Sequence, residues 1–486
     1  MRKITINSFD GGIADNKFST VANQFALGQG LNIDTPRLLT VNQALKDIGN
    51  TALKKAIKFG ATSTGTSELT RYWGVGGATN GIYGIDNTAT TFSVKHSNSI
   101  TSIIDNISAV KSSLVYTTPI RIGAVSSPFN STGYNDSIAQ LTNGVHPILA
   151  KDDITYIGNV STLASFNLTS LTDNILPIES GYSIIDLIDD GNYIIILLAP
   201  ITAGLPSKIY WWDTFSEHYN YSLTLPIYGN ALGKIEGSPV LIGKNDGSIY
   251  SINQTGISLL ADRTLLDLDV VNSCVDVRSN SSIKAVTDFK GKLFYGIAFG
   301  GADTLGGIWS MGRAKPDSSI VKNWEWRIMS GTTYTAKIYS IVNQRSTQLL
   351  PENILICVNN TDQGGTLKTL TIDYNNKVTD AFYESLVLDG GEPDKTKKFQ
   401  RITVSTRPLA GSFTISVKIN EASSWTQIGT YTGTGKTKQT FPVLVEGMLD
   451  NNVGENIQIR FDFTVSGNSA PAIKGYTVEY EDFLKR

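Results

Sequence analysis

The sequence has 486 residues, of which 41% are hydrophobic and only 17% charged, against about 25% charged in ordinary soluble domains. That length predicts two or three domains, and a polar surface so poor in charge must be built from Ser, Thr, Asn and the 45 glycines, residues that favour turns and strand faces over helices. Forty-one basic and 43 acidic residues leave a net charge of −2, which excludes the overall basic excess of a dedicated nucleic-acid binder but not a local basic stripe.

The two cysteines, Cys274 and Cys357, are far apart and fit neither a disulfide framework nor a zinc site, so both are read as buried thiols. The N-terminal Met-Arg-Lys-Ile-Thr-Ile-Asn has charge without an apolar stretch behind it, unlike a secretory signal. The longest apolar run, Tyr193 to Ile201, is about half of what a bilayer requires. The expectation is a soluble protein made in the cytoplasm and not inserted in a membrane.

In chain order, residues 1–50 lack clear periodicity between Phe9-Asp10-Gly11-Gly12 and Gly28-Gln29-Gly30. They predict an irregular arm, with a first strand, that wraps a neighbouring surface or the rim of the next domain. Phe9, Gly11, Gly12, Leu31 and Ile33 are its candidate assembly contacts.

Residues 51–390 carry a recurrent strand with the spacing aliphatic-x-x-apolar. The copies begin at Ile82, Ile154, Ile209, Ile249, Ile308 and Leu367, at intervals in the range of propeller blades. Each follows a partner strand: Tyr72–Val75, Pro147–Ala150, Tyr193–Leu198, Pro239–Ile242, Leu293–Ala298 and Asn353–Val358. Lys244-Asn245-Asp246-Gly247 and Asp362-Gln363-Gly364-Gly365 supply hairpin turns tolerant of positive φ. The pattern predicts a β-propeller of about six to seven blades. The seventh would be assembled from both ends of the region, with Leu39 to Val41 closing against a late strand. A long two-sheet sandwich is the alternative on the same residues.

Asp389-Gly390-Gly391-Glu392-Pro393-Asp394 marks a linker or exposed loop. Beyond it, Phe413, Ile415, Val417 and Ile419 alternate with polar residues, as do Ile457, Ile459, Phe461, Phe463 and Val465. Strict period two means one buried face and one wet face, so residues 399–486 predict a compact antiparallel β-sandwich. The fold class is all-β: a propeller followed by a C-terminal sandwich.

Catalytic chemistry has few parts to draw on. His96, His146 and His218 form no triad or metal spacing. Asp186, Asp189 and Asp190, or Asp267 and Asp269, are the candidates for the paired carboxylates of a glycosidase. The first group also reads as a capped hairpin turn before Gly191-Asn192, the second as a wet strand face, and the Ser-x-Asp-x-Gly-x-x-Trp boxes of sialidase propellers are missing. Gly74-Val75-Gly76-Gly77 lacks the Lys-Ser/Thr of a phosphate-binding loop. Trp211, Trp212, Trp324 and Trp326 could stack on sugar rings, the structural alternative being packing between blades. No enzyme activity, metal or cofactor is expected.

Two stretches carry a family resemblance. Ser8-Phe9-Asp10-Gly11-Gly12-Ile13-Ala14, followed by Gly28-Gln29-Gly30-Leu31-Asn32-Ile33-Asp34, resembles the opening of tailed-bacteriophage virion proteins, in which Phe-x-Gly-Gly precedes an aliphatic-Asn-aliphatic-Asp segment and a propeller. Arg401 to Leu409, and Ser466 to Pro471 leading into Tyr476-Thr477-Val478-Glu479-Tyr480, are similar to the sandwich that closes many phage tail proteins. The resemblance implies a multimeric structural component of the tail, in the nozzle or the distal tip and baseplate. Its partners would be copies of itself and neighbouring tail proteins, and it would reach the virion by lysis, without an export signal. A host-surface glycan recognition protein of the same tail is the alternative, and a glycan-degrading propeller the third reading.

Overall fold

The computed structural model describes residues 1–483 except 15, 22, 36, 50–52, 63–68, 77–80, 87–91, 98–102, 127–128, 130–132, 203, 244–247, 262–273, 276–283, 300–305, 315–317, 331–333, 336, 345–352, 360–367, 409, 434 and 444–451. The turns expected at 244–247 and 362–365, and Asp267 with Asp269, therefore lie outside the described residues. Every regular element of any length among the described residues is a β-strand.

Six separate four-stranded antiparallel sheets, and a seventh set of four antiparallel strands that belongs to a ten-stranded sheet, follow one another around a ring. Their innermost strands are Lys55–Thr62, Asn106–Val110, Ile148–Lys151, Tyr182–Asp189, Gly229–Ile235, Val286–Phe289 and Lys337–Gln344, and these define blades 1 to 7. Each innermost strand lies beside that of the next blade, and Lys337–Gln344 lies beside both Val286–Phe289 and Lys55–Thr62, so the ring closes as a β-propeller. The outermost strand of blade 7 is Gln43–Gly49, supplied by the N-terminal part of the chain and paired antiparallel with Lys368–Lys377. The expected closure by both ends of the region is present, but its strand starts just after Leu39 to Val41. Leu39 instead bridges Ile473.

The aliphatic-x-x-apolar segments fall on third strands in four blades, Gly81–Asp86, Lys208–Trp212, Ile249–Asn253 and Gly307–Arg313. The described part of the last one, whose Leu367 lies outside the described residues, falls on the third strand Lys368–Lys377. Residues three apart on a strand point to opposite faces. Both are apolar because a blade is covered on both faces by its neighbours. The Ile154 copy lies one strand earlier, on Ile154–Asn159, the second strand of blade 3.

Beyond the ring, two further sheets form from Phe382 onward together with the N-terminal strand Arg2–Ile6. One has the order Arg2–Ile6, Ile473–Asp482, Lys397–Thr406, Lys438–Pro442. The other has the order Phe382–Glu384, Ile457–Thr464, Ser412–Ile419, Thr426–Tyr431. Aromatic rings from the two sheets meet. Phe461 and Tyr476 are 5.5 Å apart edge-to-face, Tyr431 and Phe441 6.2 Å apart, and the Tyr383 and Tyr476 hydroxyls share a 3.1 Å hydrogen bond. The expected linker at Asp389–Asp394 is a tied loop: Asp389 accepts the Gly391 amide at 2.8 Å, and Lys397 donates to the carbonyls of Lys395 and Glu455 at 2.8 Å.

The first fifty residues depart most from expectation. Leu27–Gln29 pairs parallel with the outermost strand of blade 6, Ile320–Arg327, and antiparallel with Phe382–Glu384. One continuous sheet therefore runs from blade 6 into the second of these C-terminal sheets. Phe9, Phe25, Leu31 and Ile33 are all at most 2% exposed and belong to the same hydrophobic core as Trp324, Tyr383 and Tyr476. Phe9 sits 5.6 Å edge-on to Tyr383. Gly12 has φ +67°, and a Cβ there would stand 2.6 Å from the Lys322 carbonyl oxygen; one on Gly11 would meet the Asn23 carbonyl at 2.7 Å.

Of the two surfaces the sequence offers this arm, it packs on the rim of the propeller, and Phe9, Gly11, Gly12, Leu31 and Ile33 are buried there. They are consumed inside this chain, and the glycines are there because the backbone of blade 6 and of residue 23 comes too close for a side chain. The domain limits shift as well: residues 43–49 belong to the propeller, and residues 2–6 and 382–384 to the C-terminal sheets.

Because Phe9 joins the propeller edge to both C-terminal sheets, Phe9→Ala is expected to cost about 3–5 kcal/mol. It should lower the urea midpoint of near-ultraviolet signals from both parts together; loss confined to one part would show that they unfold independently.

Candidate functional site

The innermost strands bring a small polar cluster to the propeller axis. Lys55 Nζ of blade 1 donates to Asn106 Oδ1 of blade 2 at 2.8 Å. Asp186 of blade 4 accepts the amides of Leu187 and Leu232 and the Lys284 ammonium, each at 2.8 Å. Lys284, just ahead of the blade 6 inner strand, also donates to the Leu232 carbonyl at 2.6 Å. Three blades are tied through one buried carboxylate that is 3% exposed, and its satisfied lone pairs offset the cost of burying it.

Lys55 has a different lot. Burial, and secondarily the field of Lys284, lowers its pKa to about 8, while Asp186 and Cys357 act the other way. Cys357 is fully buried, and that burial pushes its thiol up to about 11. The axis therefore holds an amine that is partly neutral at mildly alkaline pH.

The carboxylate candidates separate. Asp186 faces the axis, whereas Asp189 caps the hairpin by accepting the Gly191 amide at 2.9 Å and pairs with Lys151. Asp190 stands in the turn, its pKa raised by burial. Three residues apart on one strand, Asp186 and Asp189 point to opposite faces and do not form the facing pair that glycoside hydrolysis requires. His96 pairs with Asp136 at 2.8 Å and stacks on Tyr134, His146 lies between the carbonyls of Gly158 and Pro119, and His218 is exposed. Gly74 and Gly76 lie in the strand Leu69–Gly76. No group of three His, Cys, Asp or Glu side chains suited to a metal occurs among the described residues.

The four tryptophans are buried, as in the packing role that the sequence offers beside sugar stacking. Trp211 and Trp212 are 2% and 3% exposed and point to opposite faces of blade 4. Trp324 stacks on Trp309 at 5.6 Å, and Trp326 Nε1 donates to the Gln43 carbonyl at 2.6 Å, which pins the closing strand.

The aromatic segment around His218, open in the sequence to a packing or a surface role, places Phe215 and Tyr219 at the surface near blade 4. Phe215 is 92% exposed on a loop organised by Asp213, which accepts the amides of Phe215 and Ser216 at 2.9 and 2.8 Å and the Asn220 side chain at 2.9 Å. The Ser216 amide, then the Asn220 side chain and the Phe215 amide, hold the Asp213 carboxyl well below the usual range. The available signal was Asp-x-x-Ser directly after a strand, an Asx-turn pattern.

The chain matches no protein-family model and no curated relative. Among solved structures it is similar to YCF48 from Cyanidioschyzon merolae, with 10% identity over 68% of this chain and 98% of that one and a TM-score of 0.41. The Neurospora crassa Pan2 WD40 domain gives 8%, 68%, 95% and 0.38. A chain from the S. cerevisiae Dbp5 structure bound to Nup159, Gle1, IP6 and ADP gives 10%, 68%, 94% and 0.42. The propeller assignment rests on the strand pairings above.

Lys55 generates a pH prediction. Its folded pKa lies below its unfolded value near 10.5, so the unfolded chain binds more protons between about pH 8 and 10.5, and stability contributed at this position rises with pH across that window. Lys55→Met should stabilise the protein below pH 8 by about 2 kcal/mol. The gap to wild type should close toward pH 10.5 in denaturant titrations; a gap independent of pH would refute the assignment.

Proposed function

We propose that this chain is a structural component of a tailed-bacteriophage tail, in the nozzle or the distal tip and baseplate, built as a propeller followed by a C-terminal β-sandwich and assembling as a multimer. The observation that carries this reading is the continuous sheet from blade 6 through Leu27–Gln29 into Phe382–Glu384. Domains joined by a linker move relative to each other by default; here motion at the joint would break ladder hydrogen bonds and open a shared core. A stiff body of that kind suits a particle part that must keep its shape under load.

Three further features support a structural role over an enzymatic one. The axial carboxylate is neutralised by Lys284, the buried tryptophans fill blades, and the surface is poor in charge. The sequence likeness of residues 8–14 and 28–34 to virion proteins points to the particle, and copies of itself and neighbouring tail proteins are the partners proposed. Ring assembly follows if one surface of a subunit meets a different surface of the next with a rotation that closes.

A second reading, recognition of a host-surface glycan, is favoured by one observation. The rigid Asp213–Asn220 loop presents Phe215 to solvent beside the partly exposed Tyr219 and Tyr221.

The solution mass tests the first reading. Light scattering on the purified chain should give a closed ring of identical subunits, and antibody labelling should mark one tail position on particles. A monomer at micromolar concentration that is missing from purified particles would overturn it. Loss of host-cell binding in Phe215→Ser with assembly intact would establish the second.

A further inference from the structure

We propose that Arg37, Arg407 and Lys474 form a binding site for a multiply charged phosphoryl anion. With Asn7, Ser8 and Leu38 they line a cavity of about 640 Å³ where the N-terminal segment crosses the C-terminal sheet. The three cations come from three separate stretches of chain, yet backbone hydrogen bonds set their relative positions. Leu39 exchanges bonds with Ile473 at 2.9 and 2.8 Å, fixing Arg37 and Lys474 through near neighbours, and the Arg407 amide donates to the Ala472 carbonyl at 2.9 Å. Asn7 is pressed against the strand beside Lys474: a Cβ on Gly475 would stand 3.1 Å from the Asn7 Cα.

The charge arrangement is what demands a ligand. On the same pair of strands, away from the cavity, Glu479 serves both Arg401 and Lys3. Arg37, Arg407 and Lys474 enter no ion pair among the described residues, and no carboxylate lines the cavity. Three exposed cations around one cavity that no carboxylate lines favour a shared anion over single counterions. A phosphoryl group brings about −1.5 to −2 charge, against −1 for a carboxylate, and presents several oxygens to the planar fork of each arginine. Asn7 adds a neutral amide donor, whereas the Ser8 hydroxyl is spent on Asp10 at 2.6 Å. The open cavity leaves room for a diphosphate or for a phosphate borne on a larger molecule. The proposal does not rest on a place in a particle.

Titration calorimetry on the full chain at low salt tests it with inorganic pyrophosphate. Saturable binding is expected, weakened about tenfold or more in the Arg37→Gln/Arg407→Gln/Lys474→Gln variant at unchanged melting temperature. Should the triple variant fold poorly, Lys474→Gln alone, at an exposed strand position, should still weaken binding severalfold. Competition by poly(glycerol phosphate) at lower phosphate concentration than pyrophosphate would assign the site to a polymer, and the reverse order to a small molecule. No saturable binding by wild type, equal binding by the variants, or equal binding of acetate would overturn the proposal.

Discussion

Leu27–Gln29 is three residues long, and it carries backbone hydrogen bonds on both sides. On one side is the outer edge of blade 6; on the other is Phe382–Glu384, the edge of the C-terminal sheet. A propeller blade and an open sheet each leave an edge of unpaired N–H and C=O groups, which costs free energy when buried and invites pairing with other chains when exposed. Filling both edges with one short strand removes two such edges at once and draws Phe9, Phe25 and Leu31 into a core shared by propeller and C-terminal sheets. Much else depends on this arrangement. Gln43–Gly49 reaches blade 7 because Gly30 and Asn42 hold the intervening turn, with Asn42 N donating to Gly30 O at 2.7 Å. Ring closure and domain coupling therefore belong to the same fifty residues.

How much of this was legible depends on which faces a segment buries. Third strands of blades announced themselves because both faces are covered, which puts large apolar residues three apart, as at Ile308 and Met311 or Ile209 and Trp212. Blade 2 was passed over although Ile122-Gly123-Ala124-Val125 has the same spacing. Its middle residues are small because the Tyr116 ring lies over Gly123, within 2.4 Å of where a Cβ would be. The alternating strands Ser412–Ile419 and Ile457–Thr464 read easily, since one face is apolar and the other polar.

The N-terminal segment was illegible for the opposite reason. Its strands are two to seven residues long and its burial comes from loops packed between sheets, so no period develops and core residues look like an unattached arm. The candidate sites were hidden in a related way. Asp186 sits three residues before a true Asx-capped turn, and only the ring brings it to Lys284 and near Lys55. Trp211 and Trp324 looked like ligand platforms because sequence cannot distinguish an aromatic between blades from one on their surface. The basic cavity draws on residues 37, 407 and 474, and a net charge near zero says nothing of such a gathering.

The central claim is that propeller and C-terminal sheets are one hydrogen-bonded body joined through Leu27–Gln29. Amide hydrogen exchange at residues 25–31 and 382–384 tests it most directly, because surface loops open far more readily than ladder strands. The account predicts protection at these amides as strong as on the blade 6 strand Ile320–Arg327. Exchange as fast as that of unprotected amides would contradict it.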